Sequence, residues 1–163
     1  MTDEPGTIRA DGDRFAVRFE RHYLSGPAEV WATLTEPERL RRWLAEVVDG
    51  RLEPGGEFTL RWDEDDKQTA RCQVRLFEPP KVLELSWSFT GEPDSVVRIE
   101  LSPAGTGTLL VLDHRQLPRD QAAGYGAGWQ AYLGALADFD LAGWDARFAE
   151  FLPAYRVQLS ALG

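Results

Sequence analysis

Residues 125 to 136 constrain this chain more than any other stretch. Tyr125, Trp129, Tyr132, Leu133 and Leu136 fall at i, i+4, i+7, i+8 and i+11, a single stripe on an α-helix. The spacing predicts a helix over about 119–138, the one long helical segment in a sequence that otherwise reads mainly as strands. Large aromatics on that stripe need a concave sheet to receive them. Space left between helix and sheet is the natural place for a function.

Strand parity supplies the sheet. Phe15, Val17, Phe19, Arg21 and Tyr23 alternate with Ala16, Arg18, Glu20 and His22, a period of two that points His22 outward. Pro27 suits the first turn of a short helix carrying Val30, Trp31 and Leu34. Thr35 and Glu38 have capping-box spacing for a second, carrying Leu40, Trp43 and Leu44. From 46 to 116 the chain predicts successive antiparallel strands. Phe58, Leu60 and Trp62 share one face, as do Leu83, Leu85, Trp87 and Phe89, and finally Leu110, Leu112 and His114. Residues 1–12 are expected to form a flexible leader, and 13–163 a single domain. Within it, 139–163 is a C-terminal extension of one or two short helices around Trp144, Phe148, Phe151, Leu152 and Tyr155.

Charge narrows the function classes. Eighteen Lys and Arg against 27 Asp and Glu leave a formal charge of −9. Such a surface repels phosphate backbones, which disfavours nucleic-acid binding and adhesion to anionic membranes. No apolar run approaches the length of a bilayer span, so no stable membrane insertion is expected. Cys72 is the only cysteine, which excludes an intramolecular disulfide and fits a reducing cytoplasm. His22, Cys72 and His114 lack metal-ligand spacing, and the acidic run 63–66 lacks the glycine and terminal Glu of a calcium loop. Neither a metal nor a cofactor is expected. There is no phosphate loop, dinucleotide fingerprint or GxSxG element.

The order of elements resembles the helix-grip fold of the START-like, or SRPBCC, superfamily. Within it the chain is similar to the bacterial branch homologous to the activator of heat-shock protein 90 ATPase. The resemblance is carried by Pro27-Ala28-Glu29-Val30-Trp31, Thr35-Glu36-Pro37-Glu38-Arg39-Leu40 and Trp43, and by Glu53-Pro54-Gly55-Gly56 before Phe58. Leu83 to Trp87, His114, and Gly128-Trp129 with Leu133 and Leu136 complete it, covering residues 14 to about 138. It implies an α+β fold in which a curved sheet of about seven strands grips the terminal helix around an apolar cavity.

Trp43, Phe58, Trp62, Trp87, Phe89, His114, Tyr125 and Trp129 are therefore the candidate ligand-binding residues. Their leading reading is a binding site for a small hydrophobic, aromatic or lipid-like molecule. An alternative is a cyclase- or hydrolase-type enzyme with His114 as general acid or base, paired with Tyr125 or Tyr132. A third, implied by the resemblance alone, is a chaperone-associated protein-binding role; a homodimer stays open. Gly124, Gly126, Gly128 and Gly134 in the long helix are read as sites of close packing against the sheet, with a soft portal as the alternative.

Overall fold

The computed structural model describes residues 4–163. Its elements are β1 (Thr7–Asp11), β2 (Arg14–Tyr23), α1 (Pro27–Thr35), α2 (Pro37–Trp43), β3 (Glu46–Gly50), β4 (Glu57–Arg61), β5 (Thr69–Glu78), β6 (Val82–Phe89), β7 (Ser95–Ala104), β8 (Gly107–Leu117), α3 (Arg119–Asp138) and α4 (Trp144–Ala161). The strands form one antiparallel sheet of eight in the order β1-β2-β8-β7-β6-β5-β4-β3. The long α3 packs on one face of this sheet, and the architecture is the α+β helix-grip arrangement.

The inner face of the sheet carries the alternating apolar residues. Phe19, Leu60, Leu83, Leu110 and Leu112 are all buried, and Leu133 and Leu136 of α3 join the same core. The outer positions between them carry charge, and His22 is exposed. Tyr23 ties β2 to α3 by donating its hydroxyl to the Leu133 carbonyl at 2.9 Å. Trp43 is buried at the corner made by α1 and α2, where its indole N–H donates to the Thr33 carbonyl at 2.9 Å.

Several expectations need correcting. The leader expected over 1–12 contains a strand: Thr7↔Arg18 through Asp11↔Arg14 pair β1 with β2, while residues 1–3 lie outside the described residues. This strand makes the count eight instead of about seven. It is held from both sides, because the Ile8 amide also donates to Gln158 Oε1 and the Gly6 amide to the Tyr155 hydroxyl. Only Ile8 is an apolar aliphatic anchor in it, at 4% exposure, so hydrophobic alternation could not reveal it.

The capping box is also absent. Only Glu36 separates α1 from α2, so Thr35 is still helical and its hydroxyl donates back to the Trp31 carbonyl at 2.8 Å. The tail forms one helix, α4, of 18 residues. Three of the four α3 glycines, Gly126, Gly128 and Gly134, face this helix and not the sheet. A Cβ at Gly126 would come within 2.4 Å of Tyr155 Cδ1, and one at Gly128 would meet Trp144 at 3.7 Å. Gly124 has open space.

These environments predict opposite outcomes for one substitution. Gly124→Ala is expected to stabilise by up to about 1 kcal/mol through helix propensity. Gly126→Ala gains the same propensity but drives a methyl into the buried Tyr155 ring, an overpacking cost of about 1–3 kcal/mol. Thermal melts should show shifts of opposite sign, about 2–4 °C per kcal/mol for a domain of this size.

Candidate functional site

Between the sheet, α3 and α4 lies a cavity of about 510 Å³. Trp87 and Phe89 enter it from β6, and Trp62 from the turn after β4. Tyr125, Trp129 and Tyr132 descend from α3, and Trp144 and Phe148 close it from α4. The rings form a nearly continuous wall. Phe89, Trp62, Trp87 and Trp129 follow one another at centroid distances of 5.6, 5.8 and 5.8 Å. Trp129, Tyr132, Trp144 and Phe148 continue it at 6.1, 5.0 and 5.2 Å. Tilted, edge-on and, between Trp144 and Phe148, stacked contacts at such spacing pack each ring against the next.

The structure divides the expected site residues. Trp62, Trp87, Phe89, Tyr125 and Trp129 line the cavity. Trp43 and Phe58 lie instead in the filled core below it, at 1% and 3% exposure. Strand and helix parity place all of them on inward faces, and parity cannot separate a residue that fills the core from one that borders a void. Tyr132, Trp144, Phe148 and Glu92 belong to the lining and were not among the expected site residues.

His114 stands behind the wall. It is 0% exposed and does not line the cavity. Trp129 Nε1 lies 2.9 Å from its Nδ1, and Ser95 Oγ 2.7 Å from its Nε2. An indole nitrogen can only donate, so Nδ1 must be the bare acceptor and Nε2 carries the ring proton. Nε2–H then donates to Ser95 Oγ, whose own hydrogen points to the Trp87 carbonyl at 3.4 Å. One nitrogen holds α3 to the sheet, and the other ties β8 to the start of β7 within it. Burial pushes the imidazole down to about 3, so it is neutral near pH 7. The expected polar pair with a tyrosine is absent: Tyr125 meets His114 ring edge to ring face at 4.5 Å.

The Tyr125 hydroxyl points elsewhere. It accepts from Trp87 Nε1 at 3.0 Å and donates to Glu92 Oε1 at 2.5 Å. Burial makes this phenol a weaker acid than an ordinary tyrosine, and Glu92 adds to this. The Glu92 carboxyl is likewise held above the usual carboxylate range, first by burial, with Asp120 pushing the same way and the Tyr125 hydrogen bond opposing. Two further polar atoms of the wall have no partner among the described residues. Trp144 Nε1 is buried and unpaired, and Trp62 Nε1 sits beside the Tyr132 hydroxyl without a hydrogen bond of normal geometry. Among the described residues, no three His, Cys, Asp or Glu side chains are grouped to hold a metal ion. Among the described residues, no helix is long and apolar enough to cross a membrane.

Comparison with known proteins matches residues 25–139 to the family described as Activator of Hsp90 ATPase homolog 1-like protein. CalU16 from Micromonospora echinospora, in its crystal structure, is 29% identical with a TM-score of 0.79, over 95% of this chain and 96% of that one. The protein encoded by gene BPP1335 from Bordetella parapertussis is 32% identical with a TM-score of 0.68, over 93% and 90%. DynU16, a protein in the dynemicin biosynthetic locus, is 26% identical with a TM-score of 0.68, over 79% of this chain and 47% of that one. No curated protein matches the chain.

The state of His114 sets a pH dependence. Its value is about 3 in the folded protein against an ordinary 6.5, so between those values the unfolded chain binds the extra proton. The stability this residue contributes is present above about pH 6.5 and is lost as pH falls toward 3, by up to about 1.4 kcal/mol per pH unit. Denaturant midpoints from about pH 7 to about pH 4 check this. His114→Gln should be less stable at neutral pH and lose less on acidification.

Proposed function

The chain belongs to the Activator of Hsp90 ATPase homolog 1-like protein family, and from that premise we propose that it binds a small hydrophobic or aromatic molecule between the sheet and its last two helices. The observation that carries this is the cavity of about 510 Å³ with tryptophan and tyrosine walls. Its size and lining are those of a small-molecule site, with extensive apolar surface and few polar groups to fix orientation. The walls favour a flat ring system, because offset stacking and edge contacts reward planar ligands. Similarity to a protein in the dynemicin biosynthetic locus supports an organic small molecule as the occupant.

Trp62, Trp87, Phe89, Tyr125 and Trp129 touch the ligand in this reading, together with Tyr132, Trp144 and Phe148 of the opposite wall. Trp43, Phe58 and His114 support them from the core. Binding, not chemistry, is the role favoured: the only buried imidazole has both nitrogens engaged and is closed off from the cavity.

The neutral probe 2-(2-naphthyl)ethanol tests the reading. It should quench tryptophan fluorescence saturably and raise the melting temperature. Gly124 lines the cavity, and a Cβ there meets nothing within 4 Å, so Gly124→Leu should preserve the fold while obstructing the site. Affinity should fall by about tenfold or more, equivalent to about 1.4 kcal/mol. Unchanged affinity in that variant would sink the assignment to this cavity.

A further inference from the structure

We propose that the occupant of the aromatic cavity is an organic cation, a flat ring framework carrying a protonated amine; this rests on the cavity-binding reading above. The ionisable lining explains why. Glu92, Asp120 and Asp145 border the cavity, and among the described residues no lysine, arginine or histidine does. Asp120 and Asp145 are exposed at its edge and Glu92 is half-buried.

Elsewhere on the molecule many carboxylates are answered by arginine. Asp113 faces Arg9, Glu29 faces Arg39, and Glu84 is shared by Arg98 and Arg115. Among the described residues, none of the ion pairs includes Glu92, Asp120 or Asp145. Glu92 is moreover disfavoured as an anion by its burial and by Asp120. A bound ammonium would relieve both.

The walls point the same way. Tryptophan faces carry negative quadrupole charge, and several of them around one space form the kind of cage that attracts an ammonium group. Trp62, Trp87, Trp129 and Trp144 are arranged around this one. The unpaired Trp144 Nε1 is a donor that an ammonium cannot satisfy, so it calls for an acceptor oxygen on the ring framework itself. A fatty acid or other anionic amphiphile would meet the same carboxylates and the same π faces with the wrong sign. The overall charge of −9 draws cations to the whole surface, so the cavity's own share must be isolated by mutation.

Three probes share a ring system and differ at the head group: 2-(2-naphthyl)ethylammonium, 2-(2-naphthyl)ethanol and 2-naphthylacetate. Each is titrated by calorimetry and by quenching of the cavity tryptophans. The ammonium should bind about tenfold tighter than the alcohol, and the acetate more weakly than either. In the Asp120→Asn/Asp145→Asn double variant, the lead of the ammonium over the alcohol should shrink to within about twofold, with alcohol binding retained. Glu92→Gln keeps an acceptor for the Tyr125 hydroxyl and should shrink the lead in the same direction, independently of how the first variant folds. An ammonium that binds no tighter than the alcohol overturns the proposal and leaves the cavity reading intact. A lead that survives both variants places the cation elsewhere and also overturns it. If neither the alcohol nor the ammonium binds, both readings fail.

Discussion

The buried hydrogen bond from the Trp129 indole to His114 Nδ1 joins the helix to the middle of the sheet and positions the ring at the centre of the cavity wall. An imidazole with no water around it cannot leave a nitrogen unpaired without a cost of about 1–3 kcal/mol. The sequence meets that demand from both sides, with Trp129 on α3 and Ser95 at the start of β7. Fixing His114 fixes the Trp129 ring, and Trp129 in turn packs against Trp87 and Tyr132. The residue that looks most like a catalytic base is thus a fastening, and the wall of the cavity owes its rigidity to it.

The same core shows why inward-facing aromatics are ambiguous. Trp43 and Trp87 both lie inward on amphipathic elements, and both are nearly inaccessible to solvent. Trp43 spends its N–H on the Thr33 carbonyl within the α1–α2 corner. Trp87 spends its own on the Tyr125 hydroxyl, itself tied to the half-buried Glu92. One indole completes a packed corner, whereas the other joins a polar chain reaching the cavity. Periodicity reports the face a side chain occupies, and its function depends on how far away the opposing surface stands.

Where the fold was legible, it was legible through repetition. The α3 stripe and the alternation along β2 and β4 to β8 recur often enough to outweigh local noise. The α4 helix had a signal of equal quality: Trp144, Phe148, Phe151, Leu152 and Tyr155 repeat the i, i+4, i+7, i+8, i+11 spacing of α3. Its embedded Pro153 argues for a break there, yet the helix runs continuously through it. The first strand was illegible because pairing and side-chain hydrogen bonds hold it, with little apolar pattern to announce them. The missed Trp144 and Phe148 follow from α4, since a wall cannot be assigned before the element that carries it.

The Tyr155 hydroxyl accepts from the Gly6 amide and donates to Gln130 Oε1, each at 2.7 Å, while its ring fills the notch at Gly126. Three pieces of chain far apart in sequence are therefore buckled together by one phenol. The latter part of α4 cannot lift without unfastening the edge of the sheet and exposing the middle of α3. The opposite end of α4, bearing Trp144 and Phe148, carries no such buckle. The two ends of the last helix are thus held by different means, the far end by one buried phenol and the near end by rings packed against Tyr132.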